Sequence, residues 1–156
     1  MSGGTLTALA ADEIVMCKHS VLGPIDPQLG QSPAASLIKV VEEKPIARID
    51  DQTLIMADVG RKAIGQIKQA ATELLERRLS TEKASELAEQ LATGKWTHDY
   101  PIWASTARAL GLTVSTDMPD AVLELMKLYP QPIRTQNAGG VEYLPIPRQK
   151  EVAREA

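Results

Sequence analysis

The chain has 156 residues, of which 44% are hydrophobic and 24% charged, a composition typical of one globular domain. Its net charge of -3 argues against a nucleic-acid partner, and its single cysteine excludes an internal disulfide and a cysteine-rich zinc site. No apolar run reaches the roughly 18 residues of a membrane span, and no basic segment precedes the first apolar stretch as in a signal peptide. We therefore expect a cytoplasmic protein with no metal and no other cofactor.

Apolar periodicity, capping residues and helix-ending residues divide the chain into helices joined by short strands. Ser32 with Pro33 marks one helix start, Asp50 and Asp51 mark another, and Gly94 marks a helix end. In chain order, these signals predict helices over residues 5–11, 33–44, 53–79, 81–93, 103–110 and 119–129, and short strands over 13–16, 21–23, 112–114 and 141–144. Such short strands cannot make a self-sufficient sheet, so the sequence predicts a helix-rich α/β protein.

The opening Ser2-Gly3-Gly4, directly before a small-residue helix, is the first candidate site. Glycines let backbone amides approach a substrate oxygen, and a helix N-terminus favours negative charge at that point. Those features suit a nucleophilic serine. By pattern alone, a flexible chain end is the simpler explanation.

Four segments resemble those of one peptidase family. SGGTLTALAADEIVM, VLGPIDPQLGQ, WTHDYPI and GLTVSTDMP, in this order, resemble the serine dehydrogenase proteinase family, a branch of the ClpP-like and signal-peptide-peptidase-A-like serine peptidases. The resemblance implies that residues 1–132 are the C-terminal part of a ClpP/crotonase-like fold whose N-terminal half of the sheet is missing. Residues 133–156 would form an extended tail with one edge strand and a loose end over 148–156.

The same resemblance implies a function and a set of site residues. The chain would belong to a serine endopeptidase that cleaves polypeptides through an acyl-enzyme, forms a homo-oligomer and meets a membrane only through an upstream segment. The serine before the small-residue helix is the nucleophile in such relatives, which implies Ser2. The expected oxyanion and substrate-binding residues are Gly3, Gly4, Gly23 and Pro24.

The base that activates Ser2 is the open question, because a serine hydroxyl needs one. ClpP-type relatives use histidine and aspartate, but the matching stretch VLGPIDPQ contains no histidine, and His19 and His98 lie elsewhere. Relatives of the signal-peptide-peptidase-A type use a lysine before the long helix. That implies Lys44, with Lys39 and Lys62 as the other candidates. A lysine is a base when burial lowers its pKa, whereas a solvated helix end is the simpler interpretation of this segment.

Two further segments contain residues that could carry chemistry. Pro24 and Pro27 stiffen a loop around Asp26, which we expect to cap neighbouring backbone amides while the loop lies close to the site. In WTHDYP, the adjacent His98 and Asp99 point in opposite directions on an extended segment, so they do not converge on a metal ion.

Three other functions remain open. The chain could be an inactive, truncated or assembly-only domain that needs a partner for the missing half of the fold. It could be an N-terminal nucleophile hydrolase if Met1 is removed, because the amine of Ser2 would then be the base. Acyl-CoA chemistry of the crotonase type is supported by fold analogy alone.

Overall fold

The structure is a computed structural model that describes residues 2–129, so the strand and loose end predicted in the tail lie outside the described residues. Its helices are α1 Ser2–Leu9, α2 Ala34–Glu43, α3 Asp51–Leu75, α4 Thr81–Ala92, α5 Ala104–Ala109 and α6 Asp120–Lys127, with one 3-10 turn at Ile46–Arg48. Its strands are β1 Ile14–Val15, β2 Val21–Leu22, β3 Gln28–Leu29, β4 Ser32–Pro33, β5 Ile102–Trp103 and β6 Val114–Ser115.

The six strands of the described part form three separate two-stranded pairs. Parallel β1 and β6 join the first third of the chain to its last part, and antiparallel β2 and β5 make a second long-range connection. Strands β3 and β4 form a hairpin whose turn holds Gly30 at a φ of 63°, a value that favours glycine. The helix-rich α/β class predicted from the sequence is therefore observed.

Helix α3 packs against α2 on one side and α4 on the other. Its crossing with α2 is close, because a Cβ on the buried Gly60 would lie 3.3 Å from the Cβ of Ala34. Gly94 ends the segment after α4 at a φ of 75°, and a Cβ there would lie 2.7 Å from the Cβ of Ala35. Glycine is thus required at Gly94 both for its backbone angle and for its contact with α2.

The long helix begins at the predicted cap. Asp50 accepts hydrogen bonds from the backbone N–H of Thr53 at 2.9 Å and from its hydroxyl at 2.7 Å. The bond from the hydroxyl, and to a smaller extent the bond from the N–H, hold the pKa of Asp50 below its ordinary value of 3.8. The helix ends at Leu75, earlier than predicted, and the chain continues in a turn in which the N–H of Leu79 donates to the Leu75 carbonyl.

Three further local features differ from what the sequence predicted. Helix α1 spans Ser2–Leu9 instead of 5–11, because the two glycines occupy its first turn without preventing it from forming. Ser32 lies in β4, so Pro33 precedes α2 without any side-chain cap. The β3–β4 hairpin was not predicted, because a two-residue strand carries too little alternation to be recognised.

Aliphatic side chains from α1, the strands and α4 make the core. Leu9, Met16, Ile25, Leu91 and Ile102 are each at most 2% exposed. Helix α6 is different, since apolar side chains of this helix and of the residues directly after it are exposed, Leu125 and Leu128 among them. Within residues 2–129, no helix combines the length and the apolarity needed to cross a membrane.

Candidate active site

The N-terminus of α1 begins the candidate site. Ser2 is the first residue of the helix, and Gly3 and Gly4 follow it in the first turn. Both glycines are exposed, and a Cβ built on either would meet no atom within 4 Å. The first N–H groups of a helix have no partner inside it, so this turn presents donors to whatever lies in front of it.

Two long-range contacts fix the direction of α1. The buried hydroxyl of Thr5 accepts a hydrogen bond from the Gly23 N–H at 3.0 Å, which ties the helix to the loop after β2. At the other end, the guanidinium of Arg78 donates to the carbonyls of Leu9 and Ala10 at 3.3 and 3.4 Å. Donors at these last carbonyls satisfy groups that the helix itself leaves unpaired.

A buried carboxylate in the loop after β2 contacts a histidine. Asp26 is 3% exposed, and its Oδ1 lies 2.9 Å from Nδ1 of His98, whose side chain is 34% exposed. Its Oδ2 accepts a hydrogen bond from the amide of Gln28 at 2.6 Å. The oxygens of Asp26 therefore bind two side chains instead of the backbone amides that we predicted.

The loop that holds Asp26 is fastened on both sides. The N–H of Ile25 donates to the carbonyl of Leu91 in α4 at 2.9 Å, and the carbonyl of Pro27 accepts from the N–H of Ala34 at 2.9 Å. Because proline fixes φ, this double attachment leaves the backbone at Asp26 little freedom. The carboxylate thus extends from a constrained backbone, and its bonds to His98 and Gln28 fix its orientation.

Pairing of β2 with β5 brings His98 to this loop across 72 positions of sequence. Leu22 pairs with Ile102, so the turn before β5 lies beside the loop after β2. Within that turn the rings of Trp96 and Tyr100 stack with centroids 5.4 Å apart. Stacking of the residues on either side of His98 restricts the turn that carries the imidazole.

This pair has the arrangement of a general base with its orienting carboxylate. When Nδ1 of a histidine donates to a carboxylate, Nε2 carries the lone pair that can take a proton. The carboxylate also stabilises the imidazolium that forms. Serine peptidases on unrelated folds use this arrangement, and they are recognised by geometry and not by sequence order.

A cavity of about 540 Å³ joins the helix end to the pair. Gly3 and Leu6 of α1 line it, together with Asp26, Gln28 and His98. Its size lies in the range of small-ligand sites, roughly 300–1,000 Å³. With residues of α3 also in the lining, described residues of four separate chain segments converge on one space.

The predicted lysines lie away from this cavity. Lys44 is exposed at the C-terminal end of α2, where its N–H closes the last turn by donating to the Val40 carbonyl at 3.1 Å. Lys39 faces Glu43 on the α2 surface, and Lys62 binds Asp58 on α3. Among the described residues, the cavity lining includes no lysine.

The predicted oxyanion and substrate-binding residues are divided between two places. Gly3 lines the cavity, and Gly4 follows it in the same exposed turn. Gly23 is buried and its N–H is bound to Thr5, while Pro24 is fully buried and has no N–H to donate. In this structure Gly3 is the member of this set that lines the cavity, and Gly23 holds α1 through the hydroxyl of Thr5.

Sequence reasoning missed the partnership between Asp26 and His98. The sequence reasoning considered only the adjacent Asp99 as a carboxylate partner of His98, whereas the partner in the structure is Asp26. The signal that could have found the partnership is the short apolar pair Ile102-Trp103, read as a strand opposite Val21-Leu22.

Comparisons with known proteins agree with the sequence resemblance. The chain is 52% identical over 151 residues to "Uncharacterized protein MJ0137" of Methanocaldococcus jannaschii, which covers 97% of the chain and 52% of that relative. It is 47% identical over 151 residues to "Uncharacterized protein MJ1495" of the same organism, covering 97% of the chain and 51% of the relative. The chain thus spans about half the length of these curated relatives. No solved structure matches it significantly. The family model for ClpP-like SDH-type serine proteinases matches residues 1–156, and the chain belongs to that family.

Proposed function

We propose that the chain carries the nucleophile and general base of a serine endopeptidase, with Ser2 as the nucleophile and His98, oriented by Asp26, as the base. One observation carries the proposal: the first turn of α1 and the Asp26–His98 pair open onto the same cavity. Membership of the serine proteinase family supports the reaction class.

The proposed reaction is an acyl transfer in two steps. The hydroxyl of Ser2 attacks the peptide carbonyl while Nε2 of His98 takes its proton. The imidazolium, stabilised by Asp26, then donates that proton to the departing amine, which leaves an acyl-enzyme. Water then attacks the acyl-enzyme in the same way, giving its proton to His98, and the acid product leaves as Ser2 regains its proton. The N–H groups of Gly3 and Gly4 are the candidate donors to the oxyanion.

Lys44 remains the second candidate base, as the sequence resemblance implies. A lysine amine is favoured as a base by burial, and Lys44 is exposed in this chain. His98 is half-buried beside the cavity and already oriented by a carboxylate. The geometry therefore favours the histidine.

Labelling with a fluorophosphonate tests the nucleophile. The folded chain should take up one phosphonyl group, and peptide mapping by mass spectrometry should find it on Ser2. Ser2→Ala should abolish labelling, whereas Ser36→Ala, on the exposed surface of α2, should label as the wild type does. Labelling at another serine, or none on a chain shown to be folded, would overturn the proposal.

The two candidate bases are separated by a pair of substitutions. His98→Gln should slow labelling about 10³-fold or more, as loss of a triad member does, and Lys44→Gln should leave its rate within about twofold. Added imidazole should restore part of the rate in a His98→Ala protein. The reverse pattern would assign the base to Lys44.

A non-catalytic assembly domain is the second candidate function, and the surface of α6 favours it. Leu125, Met126 and Leu128 of that helix region are 51%, 53% and 74% exposed. Contiguous apolar surface of this kind marks association sites. Sedimentation of the folded chain should then show an oligomer, and a stable monomer that also labels at Ser2 would refute this candidate.

A further inference from the structure

The walls of the cavity beside α1 are mainly aliphatic. Leu6 of α1 and Ile25, the neighbour of Asp26, line it together with Ala63 and Ile67 of α3. The two α3 residues are four positions apart, so they lie one above the other on the same helix face. Helix α3 thus contributes apolar side chains of one face to the lining of the cavity.

The polar side chains that line the described cavity offer no free charge that could pair with a charged substrate side chain. Gln28 and Gln66 present uncharged amides. The Asp26 carboxylate is already bound at both oxygens, by His98 and by Gln28. A charged substrate side chain would lose its hydration and gain no counter-ion, whereas an aliphatic one would gain by burial.

Ala63 is the smallest side chain that α3 contributes to the lining, beside Gln66 and Ile67. It is half-buried, whereas Ile25 of the same lining is buried. Because pockets discriminate substrates by the methylene groups that they admit, a larger side chain at position 63 should shorten the substrate side chains that the cavity accepts.

We propose that this cavity receives the side chain of the residue that supplies the acyl group, that it selects uncharged aliphatic side chains, and that Ala63 sets their length. The proposal rests on the proposed serine peptidase function. It adds the substrate class, which neither the family nor the relatives specify.

The test uses 4-nitrophenyl esters of N-acetylated leucine, alanine, lysine and glutamate with the full chain. Acylation should be fastest with the leucine ester, and about 10²-fold slower or more with the two charged esters. Ala63→Leu should reduce acylation by the leucine ester at least about tenfold while leaving the alanine ester within about twofold. Gln69→Leu, at an exposed α3 position outside the cavity, should leave all four rates unchanged.

The outcomes separate this inference from the function on which it rests. If Ser2 is not a nucleophile, none of the four esters acylates it, and the function itself fails. If Ser2 is acylated but a charged ester is fastest, the substrate class is wrong. If Ala63→Leu slows all four esters equally while circular dichroism shows an intact fold, Ala63 does not set the length. Only a selective loss with the leucine ester supports the proposal.

Discussion

Asp26→Asn is the substitution that examines the candidate site most sharply. It removes the negative charge beside the imidazole with almost no change in side-chain volume. Oδ1 of Asp26 lies 2.9 Å from Nδ1 of His98, which places the centres of the two charged groups about 4 Å apart. An amide at this position can also donate to Nδ1, which would leave the proton on Nε2 and prevent it from acting as a base.

The size of the effect follows from that geometry. Two unit charges about 4 Å apart interact by about 4 kcal/mol at an effective dielectric constant of about 20. At about 1.4 kcal/mol for each tenfold change, the imidazolium formed in the transition state loses stabilisation equivalent to about 10³ in rate. Reversal of the tautomer adds to this, and in serine peptidase triads the same change lowers kcat about 10⁴-fold.

The assay is the rate of fluorophosphonate labelling at Ser2, measured beside peptide or ester hydrolysis. Asp99→Asn is the matched control, because Asp99 is the exposed neighbour of His98 and its replacement makes the same change in net charge. We expect a loss of about 10³–10⁴-fold for Asp26→Asn and less than about twofold for Asp99→Asn. Equal effects of the two substitutions, or a folded Asp26→Asn protein with nearly full activity, would refute the reasoning.

Three further predictions concern stability. Thr5→Val leaves the buried N–H of Gly23 without its acceptor, so urea unfolding should show a loss of about 1–3 kcal/mol that Thr5→Ser avoids. Gly94→Ala should lower the melting temperature because of its φ of 75° and the contact at 2.7 Å, whereas Gly65→Ala, in open space on α3, should stabilise the protein by about 0.5–1 kcal/mol. The pKa of Asp50 is lowered in the folded state, so its carboxylate stabilises the fold above its ordinary pKa of 3.8 and loses that effect as the pH falls through the folded-state pKa. The stability advantage of wild type over Asp50→Asn should therefore disappear on acidification. A stability difference that does not change with pH would contradict the assignment.

The helical framework was predictable because its signals are local. Asp50 is the cap that the sequence indicated for α3, and Gly94 and Gly111 follow the predicted helix ends with positive φ values of 75° and 93°. These features depend on residues within a few positions of each other. Predicted helix boundaries are wrong by a few residues where local signals disagree. The low helix propensity of Gly3 and Gly4 predicted a start after them, but both glycines lie in the first turn of α1.

The candidate site was only partly predictable because it is assembled over long distances. Ser2 stays a prediction that came from the family resemblance and not from the glycines beside it, and the Asp26 loop was expected near the site. The partner of Asp26 lies 72 residues away, and it arrives through a pairing of two-residue strands. Such strands carry almost no periodic signal, and the tertiary fold therefore decides which histidine the carboxylate meets.

An experimental structure of the Ser2-phosphonylated chain would test the central claim most directly, since it measures the reach between nucleophile and base. We predict that Nε2 of His98 lies within hydrogen-bond distance, about 2.6–3.2 Å, of Oγ of Ser2 or of the adjacent phosphonyl oxygen, with Asp26 still bound to Nδ1. A structure in which the imidazole points away from the adduct, and the amine of Lys44 takes its place beside Ser2, would contradict the account.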